Sequence, residues 1–512
     1  MAHKRLIFML ICLAFFLSSC ASVGLPVTDA APSVTYPPAE VSYVAPIGDA
    51  ALDYTDSVTL YLPSHNGIGL TSIETDVTFS LVRPAAETVM RTLLSYPGNR
   101  EASSLGGEVR LSLYGANPVE VSRDVVTVNL SASALQLDRK RLYITCQAIA
   151  NTLTSLNGIN NVNVLIVDKP VGLDIANALP LGTLQNNSSS DLGAVYEQLL
   201  SRRAAVGNSS ASSPLSSRIT LYFPLKNSEG LVCEAREINF ENQQIPDMVT
   251  AILRELAAGP GISAISSPEL PLLADLLTST PTLQDNPSSG GKILSLDFAH
   301  NLDDMLEAYG ITRRQCTASL CYTLSTFFPN VSGISLSING APVNSLLLTE
   351  DDEAPETQPV FGRSDFAGLI YDYCTLFFVN TETKQLSAAE RAISYYQRTN
   401  PRTLLCELAK GPLAGDSVPA LLSVMEDEAI TDTTILGFAL SQNTLLVNFA
   451  PSFTKIGKDL ETDSERLLAY ALVNTLCTNS NVRSVCFFQS GAQFDGFTGE
   501  IYWRGLFYPL PV

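Results

Sequence analysis

The sequence predicts an α+β protein: a two-layer α/β sandwich built three times along one chain, with helices packed on one face of a mixed sheet in each copy. Three observations predict it. Runs of β-forming residues open three segments alike, Val58-Thr-Leu-Tyr-Leu-Pro63, Ile219-Thr-Leu-Tyr-Phe-Pro224 and Cys374-Thr-Leu-Phe-Phe-Val379. The same alternation of helical and strand periodicity follows each of them. The chain is 512 residues long, too many for one hydrophobic core.

The first element is a leader, Met1 to Cys20. Lys4 and Arg5 form a positive n-region, and Leu6 to Leu17 is an apolar run. A membrane span takes about 20 residues, so this run suits a signal h-region instead. Leu17-Ser18-Ser19-Cys20 resembles the lipobox of bacterial lipoproteins, which makes Cys20 the expected lipid attachment site. An ordinary secretory signal with a chance cysteine is the alternative. Residues 21–51 carry Pro26, Pro32, Pro37, Pro38 and Pro46 and are expected to form an extended tether.

Each unit then proceeds from its opening strand to a helix at Pro84, Pro246 or Pro401, where the missing N–H of proline costs nothing. Val249, Ile252, Leu253 and Leu256 make one apolar stripe, and Leu404, Leu405 and Leu408 repeat it. Gly259-Pro260 and Gly411-Pro412 end these helices, while the first copy is less regular, with Val89, Met90, Leu93 and Leu94 before Pro97-Gly98. A second strand reads Val125–Leu130, Ile293–Phe298 and Leu445–Phe449. A second helix ends in Asn151-Thr-Leu153, Tyr322-Thr-Leu324 and Asn474-Thr-Leu476; in the first copy Leu142, Cys146, Ile149, Ala150 and Leu153 share one face. Strands at Val162–Val167, Ile334–Ile338 and Val482–Phe488 close the units. The expected division is therefore a signal peptide 1–20, a tether 21–51, a diverged first repeat 52–183, an Asn/Ser-rich linker 184–217 around a short helix, a second repeat 218–345, an acidic linker 346–371 and a third repeat 372–512 with an aromatic tail.

These motifs resemble the GerM family of sporulation and spore-germination proteins, specifically its GerMN domain. The second copy shows Ile219–Pro224, Glu234-Ala-Arg-Glu-Ile238, Leu256-Ala-Ala-Gly-Pro260 and Leu296-Asp-Phe298. The third shows Leu408-Ala-Lys-Gly-Pro412, Val447-Asn-Phe449 and Val473-Asn-Thr-Leu476, with Glu390-Arg-Ala-Ile393 as a loose match to the charged strand. The first copy lacks both the Gly-Pro stop and the charged pair. The resemblance implies a lipid-anchored protein of the extracytoplasmic face in spore-forming bacteria, an interaction role in spore assembly or germination, and no cofactor.

Charge excludes one class of function. With 31 basic against 51 acidic residues the net charge is −20, which repels phosphate backbones, so no nucleic acid is expected as a partner. Histidine outside the leader is limited to His65 and His300, both expected as solvated loop residues. Ser452-Phe-Thr-Lys455 matches the S-x-x-K pattern of penicillin-recognising enzymes. The equivalent positions in the other copies, Ser131-Ala-Ser-Ala134 and Ala299-His-Asn-Leu302, lack the pair, so a turn at the strand exit is expected instead. Eight cysteines follow the leader, and small buried thiols are favoured over disulfides. Glu234/Arg236 and Glu390/Arg391 are expected as charges on an exposed strand face, solvated or paired for under about 1 kcal/mol. Asp303-Asp304 and Asp351-Asp352 are placed in loop or linker context. Ile501 to Pro509, with the only tryptophan, either forms an interaction surface or packs back on the third unit.

The expectation for function is a non-enzymatic scaffold or interaction protein with no catalytic, cofactor or metal residues. It is held to the cell membrane through Cys20 and partners envelope or spore-assembly proteins. An envelope ligand-binding lipoprotein, or a peptidoglycan-acting serine enzyme using Ser452 and Lys455, is the alternative.

Overall fold

The computed structural model describes residues 43–50, 52–174, 179–204, 214–226, 228–262, 267–287, 290–343, 359–380, 383–412, 432–456, 462–498 and 501–511. The leader with Cys20, tether residues 21–42 and the acidic run Glu350–Glu353 lie outside the described residues.

Unit 1 runs β1 (Asp53–Pro63), β2 (Leu70–Ser80), α1 (Ala85–Ser95), β3 (Val119–Ser122), β4 (Val125–Leu130), α2 (Arg139–Leu153), β5 (Asn161–Ile166) and β6 (Lys169–Pro170). Helix α3 (Leu192–Ala204) leads on to unit 2, with β7 (Leu215–Pro224), β8 (Leu231–Phe240), α4 (Ile245–Ala257), β9 (Thr282–Asp285), β10 (Lys292–Phe298), α5 (Leu302–Ala308), α6 (Arg313–Phe327), β11 (Val331–Ile338) and β12 (Ala341–Pro342). Unit 3 holds β13 (Tyr371–Asn380), β14 (Gln385–Ser394), α7 (Pro401–Ala409), β15 (Ile435–Ser441), β16 (Thr444–Phe449), α8 (Phe453–Ile456), α9 (Thr462–Thr478), β17 (Ser484–Gln489) and β18 (Ala492–Gln493). The repeated α+β unit with a mixed sheet is present three times.

Each opening strand pairs with a partner that the sequence reading marked only in the charged-strand match. The result is a long antiparallel hairpin, β1-β2, β7-β8 or β13-β14. The remaining strands form separate four-stranded sheets in the orders β3-β4-β5-β6, β9-β10-β11-β12 and β15-β16-β17-β18. In each, the central pair is parallel and its neighbours are antiparallel. A parallel pair needs a long crossover, and the second helix of each unit supplies it.

That second helix touches both the hairpin and the sheet. The expected single apolar face is too narrow a description, because every residue of α2 from Leu142 to Leu153 is buried, as is every residue of α6 from Gln315 to Phe327. Several of the polar residues among them pair across to the hairpin or along the helix, while the Ser325 hydroxyl is buried without a partner. The hydroxyls of Thr152, Thr323 and Thr475 accept the backbone N–H groups of Tyr61, Tyr222 and Phe377 at 2.8, 3.1 and 3.1 Å. Each threonine thus pairs a donor on its hairpin strand that no neighbouring strand takes.

The sheets carry a second threefold-repeated device. Two-residue turns with positive φ join β5 to β6 (Val167-Asp168), β11 to β12 (Asn339-Gly340) and β17 to β18 (Ser490-Gly491). The last polar residue of the preceding V-x-V-N/D strand or its equivalent holds each turn. Asn129, Asp297 and Asn448 accept the N–H of Asp168, Gly340 and Gly491 at 3.1, 2.8 and 3.3 Å.

The two segments read as linkers, and the aromatic tail, each contribute an edge to a unit. Leu184 bridges to Val162, Phe361 to Ile334 and Phe507 to Val485, adding an antiparallel edge to β5, β11 and β17 in turn. Asn151 and Asn474 clasp these segments through both backbone groups of Asn187 and Leu510. The aromatic tail packs back: Trp503 is fully buried against Phe487, Phe494 and Phe507. Its Nε1–H donates to Glu465 Oε1 at 2.7 Å.

The three units pack on one another pairwise. Leu52 and Leu81 of unit 1 join the core of unit 3, Val125 of unit 1 joins that of unit 2, and Leu225, Val232 and Tyr373 form a small cluster between units 2 and 3.

Candidate functional site

Two junctions between units hold buried charge. At the first, Glu120 on β3 and Arg363, beyond the Phe361 bridge, form an ion pair between Oε2 and Nη2 with both side chains largely buried. Arg363 also donates to Thr326 Oγ1 at 2.7 Å and lies 4.1 Å from the ring centroid of Tyr322. The Tyr322 hydroxyl faces Glu120 Oε1 at 3.4 Å and the Phe366 carbonyl at 3.3 Å. Burial pushes the Glu120 carboxyl above its ordinary range, with Arg363 opposing that shift. Burial works against the Arg363 charge, but Glu120 outweighs it and holds the guanidinium protonated. Tyr322 is raised well above the usual phenol value by burial and then by Glu120. It is therefore a donor and not a base.

Above this pair lies a cavity of about 310 Å³ walled by Tyr114, Asn117, Asn129, Asp168, Ser364 and Glu120. Its lining combines hydroxyl, amide and carboxylate groups with the apolar walls of Ala116, Leu165 and Ala367, a surface suited to a small molecule with both polar and apolar parts. Among the polar lining groups Tyr322 keeps its proton and Glu120 is committed to Arg363, so these two offer hydrogen bonds rather than an activated nucleophile.

At the second junction Asp372, at the start of β13, accepts the backbone N–H groups of Arg123 and Tyr373, both at 2.8 Å, and pairs with Arg398 at 2.9 Å. Burial raises its carboxyl above the ordinary range against these partners. Between units 1 and 2, Asn163 donates to Thr220 at 3.0 Å and accepts from Thr183 at 2.8 Å, while Thr127 meets the Tyr222 hydroxyl at 3.2 Å. Asp372, Asn163, Thr183, Thr220, Thr127 and Tyr222 are buried and partnered, as a permanent internal interface requires, while Arg398 is part-exposed.

The sequence-predicted candidates fall elsewhere. Ser452 and Lys455 are exposed, and the Ser452 carbonyl accepts the Lys455 N–H at 3.1 Å within the turn that forms α8. The residue that matters there is Phe453, buried and stacked on Phe449 at 3.8 Å. His65 and His300 are exposed, His65 bonding to the Asn99 carbonyl. All eight cysteines are free thiols, seven of them buried and Cys406 half-buried. No group of side chains among the described residues is arranged to hold a metal.

Two expectations are overturned. Glu234 and Arg391 are only 6% and 5% exposed, not solvated. Arg236 reaches the Gly259 carbonyl at 2.9 Å and Glu255 at 3.1 Å, and Arg391 reaches the Gly411 carbonyl at 2.6 Å. The charged strand thus caps the C-terminus of the first helix, where unpaired carbonyls attract a cation. Pairing Val58 with Thr75 in unit 1 leaves no arginine for that task, in keeping with its missing Gly-Pro stop. Asp303 and Asp304 stand in the first turn of α5, not a loop, and Asp303 pairs with Arg313. Asp351 and Asp352 lie outside the described residues. Glu120, Arg363 and Asp372 escaped sequence reasoning because a contact between residues 120 and 363 leaves no local signal.

A family profile described as Germane, sporulation and spore germination, matches residues 59–172, 220–344 and 375–494. The chain belongs to the Germane family. Each match opens within a hairpin strand and ends beyond the sheet's parallel pair, so one Germane unit is one hairpin-helix-sheet unit. No curated protein matches the chain. Among solved structures it is similar to the tandem GerMN domains of the sporulation protein GerM from Bacillus subtilis, at 22% identity over 60% of this chain and 98% of that one, with a TM-score of 0.21. It is also similar to a putative lipoprotein from Clostridium perfringens, at 14% identity over 27% of this chain and 91% of that one, with a TM-score of 0.17.

Proposed function

We propose that this Germane protein is a non-enzymatic scaffold of sporulation or spore germination, held by a lipid on Cys20 at the extracytoplasmic face of the cell membrane and binding other envelope or spore-assembly proteins. The observation that carries the reading is the use made of its buried charge. Glu120, Arg363, Asp372, Glu465 and Arg391 all hold pieces of the fold together, and the S-x-x-K serine is an exposed helix-turn residue of one copy alone. Three packed units in a chain of net charge −20 present a broad acidic surface, an architecture suited to contact with proteins.

A pull-down from sporulating cells tests the scaffold reading: envelope proteins retained by the wild-type chain are expected, and retention of none overturns it. Fractionation tests the anchor. Cys20→Ala should move the protein from the membrane to the soluble fraction, and a variant that stays on the membrane sinks the lipid reading. The cavity beside Glu120 favours a second reading, a ligand-binding lipoprotein. A thermal-shift screen with wall fragments and germinants decides that one, since saturable stabilisation lost in Asp168→Asn would select it.

A further inference from the structure

Residues 43–50 fall in the stretch expected as free tether, yet they lie on unit 3. The N–H of Gly48 donates to the Leu436 carbonyl at 2.8 Å and that of Ala50 to the Phe438 carbonyl at 2.9 Å, so the segment runs along the edge of β15. Between them Asp49 meets Arg402 through both carboxylate oxygens, at 2.7 and 3.1 Å. Arg402 is itself fixed, donating to the Ile435 carbonyl at 3.2 Å and lying 5.5 Å from the Phe438 ring centroid. Asn448, fully buried, donates to the Pro46 carbonyl at 2.8 Å. Upstream, Tyr43 and Ala45 cover Leu446, Cys486 and Phe488 on the outer face of the sheet.

Gly437 makes the approach possible. A Cβ there would stand 2.7 Å from the backbone C and N of Gly48, closer than non-bonded atoms allow. Its register partner is Asn448. The residue facing the corresponding Asn129 in unit 1 is Pro118, so the glycine is not a general requirement of the unit.

We infer that the β15 edge of unit 3 is a strand-accepting groove that recognises an extended segment carrying glycine followed by an acidic residue, and that the chain's own residues 43–50 occupy it. Backbone bonds give the attachment, Gly437 leaves room for the close approach, the φ of 73° at Gly48 favours glycine there, and Arg402 selects the acidic residue, as in strand addition to a sheet edge. The segment continues through Leu52, itself in the core of unit 3, into β1. It therefore ties the entry of unit 1 to unit 3. With the lipid anchor proposed above, on which this last step rests, a pull on the tether reaches unit 3 before unit 1.

Hydrogen exchange read by mass spectrometry on the full mature chain tests the groove. The amides of Gly48 and Ala50 should exchange at least about 100-fold more slowly than an unstructured peptide. Gly437→Val should abolish that protection while α2, α6 and α9 keep theirs. Asp49→Asn, which cannot disturb the core, should speed exchange across residues 43–50 by about tenfold, the loss of a charge-assisted pair. Exchange at the unstructured rate in the wild type overturns the inference, as does protection in Asp49→Asn equal to wild type. Cys20→Ala leaves this readout unchanged, so failure of the anchor and failure of the groove are told apart.

Discussion

The hydroxyl of Thr323 accepts the backbone N–H of Tyr222 across 101 positions of sequence, at 3.1 Å inside a fully buried setting. The same contact recurs from Thr152 to Tyr61 and from Thr475 to Phe377, so the threonine of the N/Y-T-L motif fastens each hairpin to its crossover helix. Thr323→Val keeps the shape and strands the Tyr222 donor. A loss of about 1–3 kcal/mol is expected from urea unfolding, with Thr323→Ser retaining most of it. Equal loss in both variants would mean that packing, not the hydrogen bond, is what the hydroxyl supplies.

Glu120 and Arg363 form a buried pair between units, and such a pair is most costly when half of it is removed. Arg363→Met should destabilise by about 3–5 kcal/mol, and adding Glu120→Gln should recover part of that loss because the uncompensated carboxylate is gone. Scanning calorimetry of the single and double variants checks it. A double variant worse than the single by the full cost of Glu120→Gln alone would show no coupling.

Val167 holds φ 51 in the first position of its turn, where units 2 and 3 place Asn339 and Ser490. A β-branched side chain strains this left-handed conformation, and asparagine tolerates it. Val167→Asn is expected to raise stability by about 1 kcal/mol, read as a higher melting temperature. An unchanged or lower value would place the apolar packing of Val167 above its backbone strain.

Burial pushes the thiols of Cys146, Cys316, Cys321, Cys374 and Cys477 up to about 12 from an ordinary value near 9. Below pH 9 folded and unfolded chains both keep these protons, so the thiols add no pH dependence. Above it the unfolded chain releases them and the folded chain does not, and stability falls from about pH 9 toward 12 by up to about 1.4 kcal/mol per pH unit for each thiol. Unfolding curves from pH 7 to 10.5 should steepen in that direction, and Cys146→Ala should flatten them by one thiol's share. In the native state at pH 8 a thiol reagent should modify Cys406 first, and rapid reaction at Cys146 or Cys321 would contradict their burial.

Much of the unit was legible because its signals are local. Pro401 begins α7 and Pro246 stands in the first turn of α4, and Gly259 and Gly411 take positive φ just past the ends of those helices, as their places in the sequence required. The apolar period of two in β1 put Val58, Leu60 and Leu62 inside. The charged strand was misread for an equally clear reason. An arginine two residues from a glutamate looks solvated until the carbonyls of a helix end, roughly twenty residues on, are folded against it.

The sequence by itself determined that one α+β unit is made three times, where α4 and α7 start and stop, and to which family the chain belongs, since periodicity, capping and turn residues act over a few positions. Only the tertiary structure decided which strand joins which sheet, that Glu120 meets Arg363 and Asp372 meets Arg123, and that residues 43–50 lie on unit 3. Those outcomes depend on surfaces brought together over hundreds of residues, and the cost of leaving a buried charge or backbone donor unpaired acts only after that approach.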